Sequence, residues 1–166
     1  RMSASANKIV ELDWSKIRAD FPVLDQEVNG RRLAFLDSAA SSQMPKPVID
    51  RIVHHQLHDH ANIHRGVHVL SQRSTDAFED ARRKVARFIN ARDENECIFV
   101  RGATEGINLV MHGFGRKFLS EGDEVVVSAM EHHSNIVPWQ MLREEKGIVV
   151  KVVPMTDDGR IEREAF

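Results

Sequence analysis

Two short stretches hold the residue types that a ligand site at a sheet edge needs. Arg101-Gly102-Ala103-Thr104-Glu105-Gly106 joins an apolar run, Glu96 to Val100, to a helical pattern. The opening of a helix carries free N–H groups and partial positive charge. Small residues let a phosphate approach that backbone, and the Thr104 hydroxyl adds a donor. A plain N-cap by Thr104 fits the same residues, and no Gly-Lys-Ser/Thr follows as in a P-loop. Glu131-His132-His133-Ser134-Asn135 also follows an apolar run and precedes a helical pattern. An imidazole there could stack on a planar ligand or move protons near neutral pH. A polar loop with exposed histidines is the plain alternative.

A third stretch places His60, His64 and His68 four residues apart, just after His54, His55 and His58. On one unbroken helix face, three imidazoles would suit zinc or copper. Gly66 and the Asn62 region break such a helix, and no cysteine or acidic ligand completes the set. A solvated segment or a substrate-facing loop is expected, with no metal. Cys97, the only cysteine, sits in an apolar run and reads as a buried structural thiol. Arg82-Arg83-Lys84 and Arg87 interleave with acids and lack an aromatic platform, which points to a solvated helix face, not a nucleic-acid patch.

The elements that must position these residues follow from the hydrophobic pattern. Residues 1–12 read as a loose arm. Asp13 caps a short helix that stops at Phe21-Pro22, and Val28-Asn29-Gly30 is a turn signal. Leu33 to Asp37 reads as a strand leading into the small-residue loop Ser38 to Ser42. Pro45 and Pro47 open a helix with Val48, Ile49, Ile52 and Val53 on its apolar side, fading near His60. Leu70 to Asn90 is the longest helical stretch. Strands are expected at 97–100, 124–128 and 148–153, with helices from Glu105 to about Phe114 and from Asn135 to Lys146, ended by Gly147. Asp157-Asp158-Gly159 is a further turn. Continuous apolar strands joined by helices predict a parallel α/β sheet. The pattern is still in progress at Phe166, as in the N-terminal part of a larger protein.

Composition narrows the function classes. The chain has 166 residues, 42% hydrophobic and 29% charged, with a net charge of −2. That balance gives no strong field toward nucleic acid or a membrane. No apolar run reaches the ~18 residues of a membrane span, and the polar start lacks a secretory core. A cytoplasmic location is expected, and an organellar one is compatible.

Four motifs then converge. Leu36 to Ser41, His64-Arg65-Gly66-Val67-His68, Val100 to Val110 and Glu131 to Gln140 resemble, in order and spacing, the N-terminal third to half of SUF-type cysteine desulfurases. These are class V aminotransferase enzymes of pyridoxal-phosphate (PLP) fold type I. The resemblance implies an incomplete fold type I domain: residues 1–30 as arm and small-domain helix, and 31–166 as part of the large PLP-binding domain. It implies that Ala103 and Thr104 hold the PLP phosphate, and that His132 lies over the pyridine ring and takes part in proton transfer. Ala39 and Ala40 would line the substrate side, with His64 and Arg65 near the substrate or the dimer interface. It further implies release of sulfur from L-cysteine as an enzyme persulfide, leaving L-alanine. The sulfur would pass to an acceptor of the SUF system for iron–sulfur cluster assembly, and the whole enzyme would be a homodimer. The family's Schiff-base lysine, in a Ser-x-His-Lys stretch, and its persulfide cysteine have no match in these residues, so the chain by itself is expected to be inactive. A selenocysteine lyase, another class V PLP enzyme or a non-catalytic truncated binding protein are the alternatives.

Overall fold

The computed structural model describes residues 12–165. The expected arm therefore lies almost wholly outside the described residues. The chain divides into two compact units, meeting in sequence at Glu94 and Asn95.

In the first unit, α1 (Trp14–Ala19) is capped by Asp13, whose carboxylate accepts from the Ser15 and Lys16 N–H groups. The hydroxyl of Ser15 and these N–H bonds hold the Asp13 carboxyl below its ordinary value. Strands β1 (Glu27–Val28) and β2 (Arg31–Arg32) pair antiparallel. Asn29 and Gly30, at φ 54° and 70°, make the turn between them, a left-handed pair suited to a two-residue hairpin. The expected strand at 33–37 is absent: among the described residues that stretch joins no ladder, apart from the Leu33 N–H donating to the Gln26 carbonyl at 2.9 Å, and the pairing falls instead on the two arginines beside the turn. Helix α2 (Lys46–His54) runs into a single π-helical turn, His55–Asp59. Helix α3 (Val69–Phe88) is the longest element.

The connection from Asp59 to His68 is stitched onto α3 by hydroxyls. Ser71 and Ser74 are almost fully buried. The Ser71 hydroxyl donates to the Asn62 carbonyl (2.6 Å) and accepts from the Gly66 N–H (3.0 Å), and Ser74 donates to the Asp59 carbonyl (2.5 Å). Thr75, one turn on, accepts from the His64 N–H at 3.0 Å. Buried hydroxyls must find partners, and here those partners are the carbonyls of an irregular loop. Arg83 pairs with Asp80 on the solvated helix face expected there, whereas Arg82 pairs with Glu79 half-buried.

In the second unit, α4 (Ala103–Val110) continues through a π-helical stretch, Met111–Gly115, into the short α5 (Arg116–Phe118). Strands β3 (Glu124–Ser128) and β4 (Val149–Val153) pair in parallel, Glu124 opposite Val149 and Ser128 opposite Val153. A parallel pair needs a crossover, and α6 (Val137–Lys146) supplies it. Gly147, at φ 71°, ends α6 in the left-handed conformation that glycine adopts without a Cβ penalty. Met111, Leu142 and Ile148 form the core, with Leu119, Val125, Trp139 and Val150 packed around them. The expected strand at 97–100 is not formed: among the described residues the ladders are β1 with β2 and β3 with β4, and neither includes this stretch. Cys97 is buried there, as expected of a structural thiol.

The approach of Gly66 to α3 sets a test. A Cβ on Gly66 would stand 2.4 Å from Ser71 Cβ and 2.5 Å from its Oγ. Gly66→Ala should therefore cost about 1–3 kcal/mol, the usual range for overpacking. Denaturant titration reads it directly, and an unchanged midpoint would contradict the close packing of this loop.

Candidate functional site

The two motifs first singled out lie in the same unit, and α4 packs against the 3-10 turn His133–Asn135. At the start of α4, the cap position is Gly102 in extended backbone, and no side chain caps the helix. Gly102, Thr104, Glu105 and Asn108 line an open recess there together with Arg101. Ala103 and Thr104 are both exposed. The Thr104 carbonyl is occupied by the Asn108 side-chain amide (2.8 Å).

Charge at this opening is balanced in advance. Glu105 accepts from the Arg101 side chain (3.0 and 3.3 Å) and from the Arg101 backbone N–H (2.6 Å). The guanidinium first and the N–H second hold the Glu105 carboxyl below its ordinary value. An acidic group in the first turn favours the helix, and its arginine partner keeps that carboxylate from presenting a net negative charge to an incoming anion.

His132 sits at the carboxyl end of β3, exposed, in the turn after Ser128. Its backbone is extended, and its Nδ1 accepts from the Ser134 N–H, so the imidazole caps the turn 133–135. The His133 ring stands edge-on to it, centroids 5.4 Å apart. Beneath it runs a chain of hydrogen bonds. Ser128 Oγ donates to Glu131 Oε1 (2.8 Å), Asn135 Nδ2 donates to Glu131 Oε2 (2.9 Å), and Trp139 Nε1 donates to Asn135 Oδ1 (3.1 Å). This clamp ties the end of β3 to the start of α6 across the loop that carries His132. Three of its four members are spaced four apart, at 131, 135 and 139, with Ser128 three residues before the first. That helical spacing was visible in the sequence, but the middle of the series precedes the regular helix and attracts no attention as a stripe.

The remaining predicted residues lie in the other unit. Ala39 and Ala40 are exposed in a turn where the N–H groups of Ala40 and Ser41 donate to the Asp37 carbonyl. His64 has a left-handed backbone, φ 63°, its Nε2 3.3 Å from Glu79 and its ring edge-on to Phe78. Arg65 is exposed beside it. His60, His64 and His68 share no helix face, since the chain leaves helical structure between Asp59 and Val69. His68 instead caps α3 by accepting the Ser71 N–H on Nδ1 (3.3 Å). Among the described residues no group of three or more potential ligands could hold a metal, and no helix is long and apolar enough to cross a membrane.

Comparison with known proteins adds independent findings. Residues 34–166 match the family model for aminotransferase class-V. A cysteine desulfurase of Dickeya dadantii is 54% identical over 147 residues, which cover 89% of this chain and 36% of that protein. The apo structure of a cysteine desulfurase from Thermococcus onnurineus NA1 superposes with a TM-score of 0.81 at 34% identity, covering 91% of this chain and 36% of that one. The cysteine desulfurase CsdA of Escherichia coli superposes with a TM-score of 0.66 at 33% identity, covering 86% and 35%. The chain thus spans little more than a third of the length of the relatives it matches.

The clamp predicts a pH signature. Hydrogen bonds from Asn135 and Ser128 hold the Glu131 carboxyl below its ordinary 4.5. A depressed carboxyl contributes stability above its unfolded value and loses it as pH falls through the folded value. With Trp14 replaced by Phe, Trp139 emission should show an acid limb as pH falls below about 4.5. In Glu131→Gln that acid limb should vanish, and its persistence would show that another group reports.

Proposed function

The chain belongs to the aminotransferase class-V family, and from that premise we propose that it forms the cofactor-binding part of a PLP-dependent cysteine desulfurase. The proposed reaction takes sulfur from L-cysteine as an enzyme persulfide and leaves L-alanine. The observation that carries the reading is an uncapped helix opening packed beside a turn that presents an exposed imidazole. Cysteine desulfurases at 54% and 34% identity support it.

The residues fit the cofactor's two ends. The N–H groups of Ala103 and Thr104, with the Thr104 hydroxyl, would hold the phosphate, where the helix opening favours an anion. The His132 imidazole would lie against the pyridine ring. When bound, the cofactor supplies an electron sink for charge developing at the substrate carbon. Arg101 keeps the Glu105 carboxylate paired, and the Ser128–Glu131–Asn135 clamp holds the His132 turn in place. Ala39 and Ala40 are assigned to the substrate side, and His64 and Arg65 to the substrate or dimer interface. The large domain is assigned to residues 31–166, with 1–30 contributing to the small domain. Transfer of the sulfur to a SUF-system acceptor for iron–sulfur cluster assembly, and a homodimeric whole enzyme, complete the proposal; the support for both is the resemblance of the four motifs.

A Ser-x-His-Lys stretch does not occur among the 166 residues. This chain should therefore hold PLP reversibly and release no alanine from L-cysteine. Calorimetric titration with PLP and with pyridoxal, which lacks the phosphate, tests the site. PLP should bind more tightly, and Thr104→Val should weaken PLP about tenfold or more while leaving pyridoxal unchanged. A hydrogen bond to a charged group is worth about 1.5–3 kcal/mol. Equal binding of the two compounds, or indifference to Thr104→Val, would overturn the phosphate assignment.

A further inference from the structure

We infer that Ser134 is a positioning residue whose backbone N–H fixes His132 as a hydrogen-bond donor through Nε2 toward a bound ligand. The consequence for the cofactor rests on the reading that His132 faces the pyridine ring; the tautomer itself rests on geometry alone.

The backbone N–H of Ser134 points at His132 Nδ1 from 3.3 Å. A backbone N–H can only donate, so Nδ1 must keep its lone pair. The Ser134 hydroxyl, 3.0 Å from the same nitrogen, can take either role toward it, so the N–H decides between them. A neutral imidazole carries one proton, and with Nδ1 engaged as acceptor that proton resides on Nε2. The outward nitrogen then has no lone pair to offer.

Rotating the ring would bring a lone pair outward only by breaking this cap. Several features resist that. The Asn135 N–H donates to the His132 carbonyl at 2.8 Å and the Ile136 N–H to the His133 carbonyl at 3.1 Å, which sets the turn and aims the Ser134 N–H. The His133 ring stands edge-on at 5.4 Å. Glu131 holds both ends of the loop through Ser128 and Asn135. His68 shows the same device elsewhere in the chain, accepting the Ser71 N–H on Nδ1 at 3.3 Å. It serves as an internal comparison with no assigned ligand.

The test is heteronuclear NMR on the nitrogen-15-labelled, ligand-free chain at about pH 8, above the ordinary imidazole range. A scalar coupling across the N–H···N hydrogen bond should connect the Ser134 amide nitrogen to His132 Nδ1, and the ring proton should sit on Nε2. Ser134→Ala keeps the backbone N–H and should keep both signatures. Ser134→Pro removes that N–H, and should abolish the coupling and let the Nδ1–H tautomer appear. If the proline variant does not fold, the unsubstituted chain and the alanine variant still decide. A ring proton on Nδ1, or no coupling in the unsubstituted chain, overturns the inference. Adding PLP afterwards tests the cofactor reading separately: an unmoved Nε2–H resonance would refute ring contact, with the tautomer already settled.

Discussion

The parallel pairing of β3 with β4 constrains the rest of the second unit. Two parallel strands cannot be joined by a tight turn, so the chain must leave the carboxyl end of β3, travel back as a helix and re-enter at the amino end of β4. Leu142 on that helix and Ile148 just after it make the core with Met111, which fixes α6 on the ladder. The loop from Ala129 to Ile136 is what remains between a fixed strand end and a fixed helix start. Buried Val127 and Pro138 flank it and its middle, His132 and His133, is exposed, which is the condition for presenting a side chain without giving up fold stability. The Ala129 N–H still donates to the Val153 carbonyl at 2.8 Å, so the ladder reaches to the foot of the loop. Glu131 closes it from the side.

The first unit solves a similar problem without a sheet. An irregular segment between α2 and α3 has backbone groups outside any helix or ladder, and α3 supplies partners for them from its own hydroxyls. Ser71, Ser74 and Thr75 lie on neighbouring turns and answer Asn62, Gly66, Asp59 and His64. His64 can hold a left-handed backbone, costly for a residue with a Cβ, because its N–H and its ring are both engaged there. Histidine in this stretch is therefore used for capping and pairing. That is a different use of the imidazole from metal ligation, and it requires loops instead of a continuous helix face.

Much of this was legible in the residues. Amphipathic spacing located α2, α3 and α6; Asp13, Asn29-Gly30 and Gly147 marked a cap, a turn and a helix end by mechanisms that act locally. The strand runs at 124–128 and 148–153 were read correctly because their partner was also in the sequence as an apolar run. The failures share a cause. Leu33 to Asp37 and Cys97 to Val100 have strand composition, yet a strand is a relation between two segments, and composition does not name the second. Arg31–Arg32 pairs as a strand with no apolar content at all, since the neighbouring turn dictates it. The π-helical stretches at 55–59 and 111–115 carry no sequence mark that periodicity would register. At the candidate site, residue types announced the helix opening and the imidazole. The residues that orient them, Ser134 by its backbone and Glu131 by a bridge, were silent because a backbone donor has no side-chain signature.

That silence says something about how such a site can be built. A side-chain partner can fix a histidine tautomer only while its own protonation or rotamer holds; a serine hydroxyl or an amide can turn and offer the opposite role. A main-chain N–H has one role at every pH and in every rotamer. Capping the turn with the imidazole therefore couples two requirements in one bond, since the turn gains an acceptor for an N–H it would otherwise leave to water and the ring gains a fixed orientation. Reversing the tautomer would cost the turn its cap, so the backbone geometry that follows β3 also sets which nitrogen of His132 faces outward. The chemistry available at that edge is thereby written in main-chain geometry, one step removed from the side chains that a motif displays.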